Sequence, residues 1–523
     1  MRRLQASAPR WRRLWCVLAF VGACSRSNPR LSDSRVEPDA AAGCQLQLTA
    51  DVLETEPLVL ELRCETGELP PEDLELTGLP EGAAFDAGSR ELRWVPELDQ
   101  AGRHRIQLSS RGSQLGAVQI DVVDKFDAPD NVPVQRAEQY LREYNLPVIH
   151  LGVSPDINDD SHQPATLTYQ GHSYAAVTAK YRGSTSRKYP KRSYTLKFDK
   201  NYPFVDADNG FRGARRIVLT TTFDDNSFLR QRLAYALWND LSDRQLPIHA
   251  FHAVVFLDGH YQGLYLVSDH IDDDFLNDAG VYRHVNLYKG RKHDANFRLV
   301  GPEGEPKLSL HAGYTKEEGI PEEPDPAAFA DLDALVAWLA TASDAEFASE
   351  FEQRMMRDEF EAWLMLVALI QATDSAGKNS YLYHDPRDGA PEPRWRYLPW
   401  DFNASFGQGY RTQRRLTSEY PLRDFALYNE LFARLIRDEQ LNAAVRARFR
   451  AALDGPWASS AVLALLDEWA ASIEPSALRD ERKWGAAYRE FWSARSDLTT
   501  YLEEVQYLRR WIEDRWSFMQ AAL

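Results

Sequence analysis

Cysteine is scarce in this chain: 523 residues hold four, at positions 16, 24, 44 and 64. Cys16 lies inside an apolar leader and Cys24 at its end, so Cys44 and Cys64 alone are left to the folded protein. Two thiols with no histidines at ligand spacing do not make a zinc site. An even pair in an exported chain reads instead as one disulfide, Cys44 to Cys64. Long apolar runs are as rare. The run from Leu14 to Ala23 spans about ten residues, too few to cross a bilayer, and nothing longer follows it. A transmembrane span is therefore excluded. Positive charge is in deficit as well, 61 Lys and Arg against 78 Asp and Glu, for a net charge of −17. That balance argues against a nucleic-acid partner.

What is present begins at the leader. Arg2, Arg3, Arg10, Arg12 and Arg13 precede the apolar run, which closes on Val21-Gly22-Ala23-Cys24. A basic start, a short apolar stretch and small residues make residues 1–23 a secretory signal. Small residues followed at once by Cys resemble the bacterial lipobox, in which Cys24 becomes the lipidated N-terminus. Ser25 beside it resembles sorting to the outer membrane, facing periplasm or cell surface. Residues 24–43 then read as a tether, with the lipid anchor as the only membrane contact.

Between 44 and 123 the chain alternates in "QLQLTADVLE", "LVLELRC", "RELRWVP" and "HRIQLSS", with Gly, Pro and Asp turns between. This predicts a small all-β sandwich. "GLPEGAAFDAGSRELRWVPELDQAGRHRIQLSS" resembles the Ig/cadherin-like modules of bacterial surface proteins, which serve as spacers or adhesive units. Residues 124–145, with "DKFDAPDNVP", read as a linker.

The second unit, 146–523, opens with a dense basic stretch, "KYRGSTSRKYPKRSYTLKFDK" at 180–200. Alternation places Tyr194, Leu196 and Phe198 on one face of a strand and Lys191, Ser193, Thr195 and Lys197 on the other. Arg182-Gly183-Ser184-Thr185-Ser186 forms a hydroxyl-rich turn whose N–H groups suit an anion. "RRIVLTTTFDDNSFLRQRLAYALWNDL" predicts a strand and an amphipathic helix, and "FHAVVFLDGHYQGLYLVSDHI" a hairpin at Asp258-Gly259. Together they predict a mixed sheet with one helix packed against it. Asp272-Asp273-Asp274 reads as the acidic first turn of a helix rather than a metal site. From Leu416 onward the periodicity is helical, a bundle completing the unit.

The chemistry concentrates between 358 and 407. "DEFEAWLMLVALIQATD" is a buried helix that delivers Asp374; "SYLYH" and "WRYLPW", joined by one turn, make a hairpin that returns Asp401 beside Asp374 and Asn379. An acid, a lysine and an asparagine in D-x-x-x-x-N order, then an acid heading "DFNASFG", supply the groups of phosphoryl transfer. Asp374 accepts the proton of the attacking hydroxyl, Lys378 balances charge on the moving group, and Asn379 and Asp401 offer hard oxygens to Mg²⁺.

With "YRGSTSRKYPKRSYTLKF", "DDNSFLRQRLAYALW", "LDGHYQGLYLVSDHI", "NLYKG", "DSAGKNSYLYHD", "YLPWDFNASFG" and "SALRDERKWG" in order, the chain resembles the spore-coat-protein-H (CotH) kinase family. The resemblance implies an α+β, atypical bilobal protein-kinase-like domain with a helical C-terminal part. It implies an envelope kinase that uses ATP with Mg²⁺ or Mn²⁺ to phosphorylate Ser or Thr of exported proteins. Asp374 is then the catalytic acid and Asn379 and Asp401 the metal ligands; Arg182, Asp269 and Lys191 or Lys197 would serve the nucleotide. Asn403 stands where the family often has a second acid, and Asp269 where a Glu is usual. The competing readings are an inactive surface scaffold and a nucleotidyl transferase.

Overall fold

The computed structural model describes residues 46–54, 57–64, 74–96, 100, 102–111, 113–123, 140–144, 146–241, 244–409, 413–491 and 499–523. The leader, Cys24, the tether and Cys44 lie outside them. Two compact units divide the chain, Met1–Val123 and Asp124–Leu523.

The first unit contains β1 (Leu46–Leu53), β2 (Leu58–Glu61), β3 (Leu74–Thr77), β4 (Ala84–Asp86), β5 (Glu91–Trp94), β6 (Gly102–Ser110) and β7 (Ser113–Val123). They form one sheet in the order β1-β7-β6-β3 and another in the order β2-β5-β4. Period-two alternation turns Leu92 and Trp94 of β5, Ile106 and Leu108 of β6, and Val118, Ile120 and Val122 of β7 into one shared core. Cys64 is disulfide-bonded.

The second unit is mixed α+β. Its strands are β8 (Arg142–Glu143), β9 (Leu146–Val153), β10 (Gln163–Tyr169), β11 (His172–Tyr181), β12 (Tyr194–Phe198), β13 (Phe204–Asp206), β14 (Phe211–Ala214), β15 (Arg216–Thr220), β16 (Ala250–Leu257), β17 (His260–Asp269), β18 (Asn286–Gly290), β19 (Tyr314–Glu318), β20 (Ser380–His384) and β21 (Arg396–Pro399). Its helices are α1 (Arg230–Asp240), α2 (Asp273–Asp278), α3 (Ala330–Thr341), α4 (Asp344–Arg354), α5 (Arg357–Leu369), α6 (Glu430–Arg437), α7 (Glu439–Asp454), α8 (Ser459–Phe491) and α9 (Tyr501–Ala522).

The sheet expected from 146–271 is not open. Strands run in the order β10-β11-β12-β15-β17-β16-β9, and β9 pairs back onto β10, so seven strands close a barrel. Closure leaves no edge between β9 and β10. Inward residues such as Leu151, Leu167, Leu196, Leu219, Val255 and Val267 fill the barrel. Outward ones, Val218, Val254, Phe256 and Leu264, join a larger core with α1 and α5. A second, four-stranded sheet follows the order β19-β18-β20-β21, which contains the expected hairpin, with Ser380 opposite Pro399. Helix α5 is buried all round from Glu359 onward and apolar from Ala362, and Trp363 stacks on Tyr397 of β21 at 4.4 Å.

The expected cationic strand face is absent. Lys191 precedes β12 and is fully buried: its Nζ donates to Asp480 Oδ2 of α8 at 2.6 Å and to the Leu264 carbonyl at 2.7 Å. Asp480 of α8 thus reaches the lysine that alternation left to solvent. Two further buried pairs bind early to late chain, Glu143 to Arg479 at 2.9 Å and Arg230 to Glu504 at 2.5 Å. No described helix is long and apolar enough to cross a membrane.

Candidate active site

The site is built from loops at the end of the second sheet. Past α5 the backbone turns through Gln371 at φ +54°, and Asp374 rides on a single 3-10 turn, Thr373–Ser375, five residues beyond the helix end. Gln371 Nε2 fixes that turn by donating to the Leu416 and Glu419 carbonyls at 2.8 Å, and Trp363 Nε1 donates to the Ser375 carbonyl at 2.9 Å. Ser375 Oγ donates to the Asp401 carbonyl at 3.1 Å, and the Asn379 N–H to the Gly290 carbonyl at 2.8 Å. These bonds lock the 374–379 loop to both β18 and the end of β21. Glycine is required at 290, because a Cβ there would lie 2.8 Å from the Gly377 carbonyl oxygen. Asn379 and Asp401 both hold left-handed backbone, φ +55° and +59°, a region that Asn and Asp tolerate better than most residues.

The polar groups converge as the hairpin predicts. Lys378 Nζ lies 2.9 Å from Asp374 Oδ1, Asn379 Nδ2 donates to Asp374 Oδ2 at 3.0 Å, and His293 Nε2 stands 3.4 Å from Asp374 Oδ1. Burial pushes the Asp374 carboxyl up, but His293 and Lys378 outweigh it and hold the group below the usual carboxylate range. Asp401 behaves oppositely. Its burial, with Asp374 adding, raises it against the opposing charges of Arg182, Lys289 and Lys378. A desolvated carboxylate next to a second one favours a cation. Hard oxygens line the same cleft: the Asp401 carboxylate, the Asn379 amide oxygen left over by its bond to Asp374, and Asp224, which accepts from Asn403 Nδ2 at 2.7 Å. This donor set fits Mg²⁺ or Mn²⁺.

All these groups except His293 and Lys289 line one open cleft of about 360 Å³, with Arg182, Ser193, Thr220 and Trp400. Arg182 lies over the Trp400 ring at 5.0 Å. Of the expected nucleotide residues, the structure brings Arg182 alone to the cleft. Lys191 is spent on Asp480. Lys197 pairs with Arg216 across β12 and β15, four residues and about 13 Å along extended chain from the cleft-lining Ser193. Asp269 lines a different cavity, where its Oδ2 accepts from the His249 N–H at 2.7 Å and faces His249 Nδ1 at 2.9 Å. Among the described residues the one close acidic triplet, Asp272 to Asp274, is a helix start: Asp272 caps α2 through the Phe275 N–H at 2.9 Å and pairs with Arg216 at 2.5 Å.

Three groups escaped the sequence reading. Asp224 lies between a strand and an amphipathic helix with no motif to mark it, and His293 carries no pattern. Lys289 stands in "NLYKG" on β18, its Nζ 4.8 Å from the Tyr381 ring and 5.2 Å from that of Trp400. Desolvation, then Arg182, lowers its ammonium to about 7. The unfolded chain, with a lysine near 10.4, therefore binds more protons between those values, so this group makes stability rise as pH climbs from 7 toward 10. Urea midpoints at pH 7 and pH 9 should rise more in the parent than in Lys289→Met. Equal pH dependence would show that Lys289 keeps an ordinary pKa.

A profile of the CotH kinase protein family matches residues 179–519, well over half of the chain. The chain belongs to the CotH kinase family. Inner spore coat protein H of Bacillus subtilis (strain 168) is 28% identical over 310 residues, covering 57% of this chain and 78% of that protein. Among solved structures, an endo-fucoidan hydrolase of glycoside hydrolase family 107 matches at 15% identity over 31% of this chain and 27% of that one, TM-score 0.14. The Drosophila OTK extracellular domains 3–5 match at 12% identity over 30% and 63%, TM-score 0.13. The CotH match takes in every residue that lines the cleft and stops short of the first unit.

Proposed function

We propose that this CotH-family protein is a bilobal, kinase-like enzyme that transfers the γ-phosphoryl group of ATP to Ser or Thr hydroxyls of exported proteins. The observation that carries the reading is the meeting of Asp374, Lys378, Asn379 and Asp401 in one cleft. Asp374 takes the hydroxyl proton as the oxygen attacks phosphorus and the bond to ADP breaks. Lys378 and Arg182 offset negative charge on the phosphates, the role expected from sequence of Lys191 or Lys197. A divalent cation would screen the phosphates; Asp401 and Asn379 would hold it, and Asp224 with Asn403 a second. A carboxylate at Asp224 weighs against reading Asn403 as decay toward an inactive scaffold.

Thermal unfolding of the mature chain tests nucleotide binding. ATP with Mg²⁺ at a hundredfold excess over Kd should raise stability by about 2.7 kcal/mol. No shift with any nucleotide and divalent metal leaves only the scaffold. The chain is further proposed to be an outer-membrane lipoprotein anchored at Cys24. Cys24→Ala should change its mobility or release it from the membrane fraction; unaffected processing would remove the anchor.

A further inference from the structure

A second cavity, of about 650 Å³, opens at the opposite end of β15 from the cleft: Arg216 lines this one and Thr220 the other. Four residues, about 13 Å of extended chain, separate them. Four arginines line the second cavity, Arg212, Arg215, Arg216 and Arg244, in a protein whose net charge is −17. Arg216 is held by Asp272, and Arg244 stands 3.5 Å from Asp358. Arg212 and Arg215 have no ion pair among the described residues; Arg215 donates its Nε to the Phe198 carbonyl at 3.2 Å. Asp269 is occupied by His249, so Asp278 on the rim is the carboxylate left to oppose them. Phe211, Leu246 and Phe275 supply apolar wall.

Gln245 lines the same cavity, is 5% exposed, and has no partner for either Oε1 or Nε2. Burying a carboxamide with both groups unmet is costly. A carboxamide offers a donor and an acceptor side by side, the complement of a peptide bond. A free phosphate or carboxylate satisfies only the donor. Guanidinium forks, in turn, match carboxylates two bonds at a time.

We propose that this cavity binds an acidic, extended polypeptide segment and so docks a protein substrate beside the cleft. The binding stands by itself; only its link to catalysis rests on phosphoryl transfer in the cleft.

Fluorescence anisotropy with a labelled octapeptide of Asp, Glu and Gly, and its Asn and Gln counterpart, tests this on the whole mature chain. The acidic peptide should bind at least about tenfold tighter than the neutral one, with an affinity that falls as salt rises. Arg212→Glu, on an exposed side chain, should weaken it by about tenfold or more. Gln245→Leu should weaken the peptide by more than it weakens tripolyphosphate. Asp401→Asn should leave peptide affinity at the parental value while nucleotide binding falls, which separates failure of this site from failure of the cleft. Equal affinity for the two peptides overturns the proposal, as does indifference to Arg212→Glu. Tripolyphosphate displacing the peptide equally well from parent and Gln245→Leu makes the cavity an anion site and overturns it too.

Discussion

Asp401→Asn should weaken Mg²⁺-nucleotide binding and activity together, whereas Asp374→Asn should keep binding and lose phosphoryl transfer by about 10²-fold or more. The split follows from the opposite electrostatics of the two acids. Asp374 is already compensated by His293, Lys378 and Asn379, so its charge is stabilised before any cation arrives. Asp401 is raised by burial and by Asp374, so a bound cation would stabilise its carboxylate more than that of Asp374. Nucleotide affinity and phosphate incorporation, measured side by side, decide the matter. A γ-phosphate label that never reaches protein while an α-phosphate label does would identify nucleotidyl transfer. Variants that bind and react like the parent would show that the hairpin assembles no catalytic site.

Lys191→Met should cost about 3–5 kcal/mol of stability, because it leaves Asp480 buried without its cation. Nucleotide affinity of the folded fraction should be unchanged. Replacing both partners, Lys191→Met with Asp480→Leu, should recover much of the loss, since an apolar pair removes the stranded charge. Urea unfolding of the parent and the two variants measures this. A parental midpoint with lost ATP binding would return Lys191 to the phosphates.

These two residues also mark what could be read from sequence. Asp374, Asn379 and Asp401 fall within one helix end and one hairpin, where strand spacing alone fixes which residues meet, and the structure brings them together there. Lys191 meets Asp480 across 289 positions. Alternation assigns a side chain to a face of its strand but not a covering to that face, so a buried lysine and a solvated one read alike. Barrel closure was hidden for the same reason: the β9–β10 and β9–β16 registers carry no local signal. Asp224 and Lys289 reached the site through a turn and a neighbouring strand, each with an adequate local explanation of its own. The leader's anchor and Cys44 fall outside the described residues.

The long-range ties have a temporal meaning. Lys191, Glu143 and Arg230 find their counter-charges at Asp480, Arg479 and Glu504, all in the final tenth of the chain. As the polypeptide is made from its N-terminus, these three ties wait until α8 and α9 have appeared, Arg230 having only Asp225 beside it until then. Contacts of such sequence separation form slowly. The second unit thus gains these ties only late in its own synthesis, and a chain truncated before residue 479 would lack all three, leaving Lys191 without the carboxylate that offsets its burial.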